Sequence, residues 1–160
     1  MTSDAPQKDE PGIIRNETGT QRLVGYVLDV GQGDGSARCH LDINETHTNR
    51  HGVMHGGIAS TLLDNAMGAT GSLSLDDTGQ QPFLTISMTT QFLAPAKSGT
   101  RVTAIGRVVG GGRSLLFIDG TLKAEDGTLI ATANGVFKRV PPHKLTSSNP
   151  ASVLGAETGK

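Results

Sequence analysis

Between residues 22 and 139 the apolar positions change period twice. Arg22 to Val30 and Ala37 to Ile43 read as two strands, joined by the turn-forming run Gly31-Gln-Gly-Asp-Gly-Ser36. An irregular stretch over 44–56 follows. From about residue 57 to 72 the apolar residues recur at helical spacing. Beyond the linker Asp76–Pro82 the β-rich pattern returns in four segments: Leu84–Leu93, Arg101–Val109, Ser114–Leu122 and Leu129–Arg139. Gly110-Gly-Gly112 and Asp126-Gly127 mark the turns between the last three. One helix set against five or six strands predicts an α+β fold, with an antiparallel sheet curled around the helix. Residues 1–20 are polar and carry Pro6, Pro11 and Gly19, so they read as a flexible lead-in. Residues 141–160 open on Pro141-Pro142 and read as a disordered tail. The folded unit expected is a single domain over 21–140.

The helix is unusual on its polar side. On a wheel of about 100° per residue, Ile58, Ala59, Leu62, Leu63, Ala66, Met67 and Ala69 share one half. The other half holds Ser60, Thr61, Asp64, Asn65 and Gly68. A helix facing water usually fills that side with Lys, Glu and Arg. Small residues around one carboxylate suit close packing against a second surface or a ligand. The plainer reading is a surface helix that happens to carry an Asp.

Composition removes several function classes. The 14 basic and 15 acidic residues give a net charge of −1, and no Lys/Arg run stands out. Nucleic-acid binding, which needs a concentrated basic face, is therefore not expected. Four Phe and one Tyr are too few for a stacking platform. No apolar run reaches the length of a membrane span, and the N-terminus does not read as a secretory signal, so a cytoplasmic protein is expected. Cys39 is the only cysteine and falls in a predicted strand, where a buried, inert thiol is the expectation.

Chemistry concentrates where the irregular stretch meets the helix. In Asn49-Arg-His-Gly-Val-Met-His55-Gly-Gly-Ile-Ala-Ser-Thr-Leu-Leu-Asp64, a His-Gly-Gly turn feeds a helix that carries one carboxylate nine residues after the His. The turn offers unpaired N–H groups at a helix N-terminus, where negative charge is favoured. The carboxylate could activate a water, or attack, on a carbonyl held by those groups. His47, His51 and His55 recur every four residues and would share a helix face as metal ligands. The glycines and threonines between them make that stretch a poor helix, so no metal site and no cofactor is expected. His40, beside Cys39 on a strand, is expected to be structural or exposed.

These residues, with Phe92-Leu-Ala-Pro-Ala-Lys97 further on, resemble a hotdog-fold acyl-CoA thioesterase of the branch that includes the phenylacetate-pathway (PaaI-type) enzymes. The resemblance spans about residues 22 to 139. It implies a curved antiparallel sheet wrapped around one central helix, and a homodimer at least, or a homotetramer, with the site at the subunit interface. It implies that the Gly56 N–H polarises the thioester carbonyl and that Asp64 from the other subunit is general base or nucleophile. Asn49 and His55 match pocket-shaping positions that orient the water or the carbonyl, and Gly57, beside the oxyanion donor, matches a substrate-binding position. Thr85 matches a hydroxyl that helps hold the water, and Arg113 and Ser114 match contacts to coenzyme A, which is part of the substrate and not a cofactor. Met67, Met88 and Phe83 are candidate walls of the acyl pocket.

Two other functions fit the same fold. A hotdog hydratase or dehydratase would work through a His paired with an acid, but here the His runs directly into Gly-Gly and the acid lies nine residues on. An acyl-CoA binding or sensing module would share the fold without the activity. Sensors of that kind usually carry a partner domain, for which this chain leaves no room, and Asp64 argues for chemistry.

Overall fold

The computed structural model describes residues 10–145. In chain order the elements are β1 (Ile13–Ile14), α1 (Gly19–Val24), β2 (Val27–Asp29), β3 (Arg38–Asp42), a 3-10 turn (Glu45–His47), α2 (Gly56–Leu73), β4 (Phe83–Phe92), β5 (Arg101–Gly111), β6 (Leu115–Ala124), β7 (Leu129–Arg139) and α3 (Pro142–Leu145). The strands form one antiparallel sheet in the order β1-β2-β3-β5-β6-β7-β4. The strand that follows the helix thus crosses to the far edge of the sheet. The sheet curves around α2 in the α+β, hotdog arrangement expected. No helix among the described residues is long and apolar enough to cross a membrane.

The core lies between α2 and the inner face of the sheet. Leu62, Leu63, Ala66 and Met67 are fully buried against Val102 and Ala104 of β5, Ile118 and Leu122 of β6, and Ala131 and Phe137 of β7. In β3, β5 and β6 alternate residues are buried, as the strand period requires, while bulges break the alternation in β4 and at the ends of β5 and β6. Two inward positions are glycine because the helix comes too close for anything larger. A Cβ on Gly106 would lie 2.8 Å from Ala66 O, and one on Gly120 would lie 2.7 Å from Met67 Sδ. Thr70 stitches the layers together, donating to Ala66 O at 2.7 Å and accepting the Ala37 N–H at 3.0 Å. Cys39 is buried in β3, and burial pushes its thiol far above the ordinary range, which makes it a poor nucleophile.

The N-terminal part differs from expectation. Arg22–Val30 is not one strand: it contains the end of α1, a turn at Gly25, and β2. Capping outweighs the β-propensity of Leu23 and Val24. The Thr18 side chain accepts the Gln21 N–H at the start of α1, and Gly25, at φ 85°, closes its end by donating to Gln21 O. Residues 10–20, expected as part of a flexible lead-in, belong to the fold, since Gly12 O accepts the Val30 N–H and Ile13 and Ile14 pair with Asp29 and Leu28. The rest of that expectation, residues 1–9, and most of the expected C-terminal tail, residues 146–160, lie outside the described residues.

Candidate active site

The N-terminus of α2 has one free donor. His55 is the N-cap in extended conformation (φ −64°, ψ 136°), and its Nδ1 accepts the Gly57 N–H at 2.9 Å. His55 O accepts the N–H groups of Ile58 and Ala59. Gly57, expected to help bind substrate, thus has its N–H already taken. The Gly56 N–H has no acceptor among the described residues. Helix ends left open in this way attract a polarised carbonyl or an anion. The loop before the helix is pinned by Met54 N–H donating to Ala96 O and by a bridge between Val53 and Lys97, which is the structural role of Pro95-Ala-Lys97. Asn49 closes the turn over 49–53: its N–H donates to Val53 O and its Oδ1 accepts the His51 N–H, leaving Nδ2 without an acceptor among the described residues. Asn49 and Gly56 border one depression of about 360 Å³, with Phe92, Leu93 and Ile130 among its walls.

Asp64 sits elsewhere. It is half-buried on α2, and its Oδ1 accepts the Thr85 hydroxyl of β4 at 2.5 Å. Beside it, Asn65 is oriented from both ends: its Oδ1 accepts the Tyr26 hydroxyl at 2.8 Å and its Nδ2 donates to Thr61 O at 2.8 Å. Burial raises the Tyr26 hydroxyl above its ordinary pKa, so it stays a proton donor to Asn65. Asp64, Asn65 and Thr85 border a second, open cavity of about 430 Å³, also lined by Ile14 and Glu17 from the N-terminal segment and by Phe83 from β4.

The two halves therefore do not meet within one chain. Eight residues at about 1.5 Å rise put Gly56 and Asp64 about 12 Å apart along α2, and they border different cavities. Together in sequence, they are apart in the folded chain. The polar half of the helix wheel keeps the expected position, since Ser60, Thr61, Asp64, Asn65 and Gly68 are all half-exposed.

Other expected residues separate further. Arg113 and Ser114 are exposed on the β5–β6 turn and border neither cavity; Ser114 O accepts the Arg139 N–H. Phe83 is a cavity wall, Met88 is half-buried against the core, and Met67 lies wholly inside the core beneath Gly120. His47 is buried: its Nδ1 accepts the Asn44 N–H and its Nε2 bonds to Val24 O, while His51 is exposed. His40 is half-buried, its Nδ1 2.8 Å from Thr103 Oγ1, and burial holds its pKa below the ordinary value. The sequence reading missed Tyr26 and the N-terminal wall of the Asp64 cavity. The solitary Tyr and the Thr18–Gly25 cap pair were the available signals.

Comparison with known proteins gives the family and the fold. Residues 51–131 match the family model described as Thioesterase superfamily. The chain is 34% identical over 113 residues to acyl-coenzyme A thioesterase 13 of Homo sapiens, an alignment covering 69% of this chain and 78% of that protein. Its fold is similar to that of conserved protein PA5202 from Pseudomonas aeruginosa (TM-score 0.67, 28% identity, 77% of this chain and 94% of the other). It is also similar to that of the PaaI protein from the phenylacetic acid degradation operon of E. coli (TM-score 0.66, 20% identity, 78% and 86%).

Proposed function

Because the chain belongs to the thioesterase superfamily and is a hotdog thioesterase of the PaaI type, we propose that it hydrolyses acyl-CoA thioesters at a site shared between two copies of itself. The observation that carries the shared site is the separation of Gly56 from Asp64. A reacting carbonyl must lie about 3 Å from both its oxyanion donor and its attacking water, and about 12 Å along one helix does not allow that. A second copy supplies the missing half. The β4 edge supports such pairing, because its outer side has no partner strand among the described residues and Ile86, Phe92 and Leu93 are exposed on or beside it. An unpaired edge of this length is a ready template for another chain. The small, half-exposed face of α2 lets a partner approach the helix.

In this reading the thioester carbonyl oxygen accepts the Gly56 N–H of one subunit. Thr85 holds Oδ1 of the other subunit's Asp64, leaving Oδ2 to take a proton from water. The water oxygen bonds to the carbonyl carbon, and the negative charge gathers on the oxygen at Gly56. Collapse breaks the C–S bond, and the proton held by Asp64 goes to the departing coenzyme A sulfur. The products are the free acid and CoA. The Asn49 amide, with its donors unused, faces the same oxygen or water.

Thiol release from a panel of short, medium, long and aryl-acetyl CoA esters tests this reading. Hydrolysis of some members is expected. Binding across the panel without thiol release would point instead to a sensing module, and neither binding nor release would overturn the acyl-CoA assignment. Thr85→Ala should lower kcat about tenfold on the best substrate, since a hydrogen bond to a charged group contributes about 1.5–3 kcal/mol. Thr85→Ser should recover most of that loss, because only the hydroxyl is used.

A further inference from the structure

The cavity beside Asp64 has a wall that the proposed chemistry does not use. Resting on the thioesterase reading, we propose that this cavity is the acyl subsite and that Glu17 selects against acyl groups carrying a negative charge.

The wall is built, not incidental. Gln21 is only 2% exposed, and its side chain ties the segment together: Nε2 donates to Ile14 O at 2.7 Å and Oε1 accepts the Glu17 N–H at 3.0 Å. Ile14 is further fixed by its pairing with Leu28, which also borders the cavity. A buried amide with both ends satisfied holds backbone firmly, because freeing either end would leave a polar group unpaired. Ile14, Glu17 and Thr18 are thereby held in the wall of the cavity that Phe83 also lines.

The chemistry of the lining decides what can enter. Ile14, Leu28 and Phe83 offer apolar surface, and Gln80 and Gln81 offer neutral polar tips. The charged residues on the lining are Asp64 and Glu17, both carboxylates, and no Lys, Arg or His of the described chain joins them. Arg22 is engaged elsewhere, its Nη1 donating to the carbonyl oxygens of Asn16 and Glu17. A cavity with two carboxylates and no cation does not suit the phosphates of coenzyme A. It suits an uncharged acyl group, which must lie within reach of Asp64. An acyl chain ending in a carboxylate would bring a third negative charge beside Glu17 and Asp64, where like charges repel.

The test compares two acyl-CoAs of equal chain length, one ending in methyl and one in carboxylate, on wild type, Glu17→Gln and Glu17→Lys. The quantity read is the ratio of kcat/KM for the charged substrate to that for the neutral one. Wild type should favour the neutral ester. Glu17→Gln should raise the ratio about tenfold, and Glu17→Lys should raise it further. Glu17 is exposed in the free chain, so both variants should fold, which circular dichroism checks. A ratio unchanged across the three proteins, with the neutral ester still cleaved, overturns the proposal and assigns the cavity to another part of the substrate. If wild type cleaves neither ester nor any of the wider panel, the thioesterase reading itself has failed, and the proposal with it.

Discussion

Asp64→Ala should slow thiol release from the best acyl-CoA by about 10²–10⁴-fold in kcat, the usual contribution of a positioned base. Asp64 is the only carboxylate on α2. One of its oxygens is held by Thr85, which leaves the other as the atom that accepts a proton. Asp64→Asn keeps the shape, loses the basic oxygen and should be as impaired as the alanine variant. The side chain is half-exposed and joins no ion pair among the described residues, so thermal stability should move little. Steady-state kinetics with a thiol-reactive chromogen, beside a melting curve, separates the two effects. A variant that is folded and within tenfold of wild type would place the base elsewhere.

Gly56→Pro should lower kcat by about 10²–10³-fold, the cost typical of losing one oxyanion donor. A backbone N–H is normally out of reach of mutagenesis, but this position is an exception. Gly56 is the first residue of α2, where proline is well tolerated because its missing N–H has no helical partner. The preceding His55, at φ −64° and ψ 136°, already has the extended conformation that a residue before proline prefers. No intrachain hydrogen bond is lost, since the Gly56 N–H has no acceptor among the described residues. The one steric demand falls on Phe92, whose exposed ring lies 3.3 Å from where a Cβ would sit. Gly56→Ala places the same Cβ beside Phe92 and keeps the donor, so it should lose no more than about tenfold. Equal losses in the two variants would attribute the effect to crowding and not to the missing N–H.

Much of this was legible before folding, and the reasons differ by element. The helix expected over 57–72 spans Gly56–Leu73, because its apolar period and its His-Gly-Gly entry agree. The last three strands were marked off by turns that leave the chain little choice, with Gly111 at φ 123° and Gly127 at φ 88°. The N-terminal elements were misread because Leu23 and Val24 speak for a strand, while the deciding residues, Thr18 and Gly25, stand outside them. At the candidate site, chain spacing and helix-end chemistry single out Asp64 and Gly56 as candidates. That they border separate cavities is not legible there, because spacing describes distance along the chain and not which end of β4 each residue meets: Asp64 lies by Phe83 and Thr85, Gly56 by Phe92. The Tyr26–Asn65 hydrogen bond joins residues 39 apart and exists only once β2 lies beside α2. The Glu17 wall depends in the same way on a buried Gln21 that no periodicity singles out.

The central claim, a site built from two chains, is tested most directly by complementation. Gly56→Pro and Asp64→Ala chains, each inactive alone, would be co-refolded in equal amounts and assayed for thiol release. In a symmetric dimer with shared sites, half of the assemblies are mixed and each has one intact site, so about a quarter of wild-type activity should return. If both groups acted within one chain, every site would remain broken. A mixture no more active than its components, with mixed dimers shown to be present, would contradict the shared site.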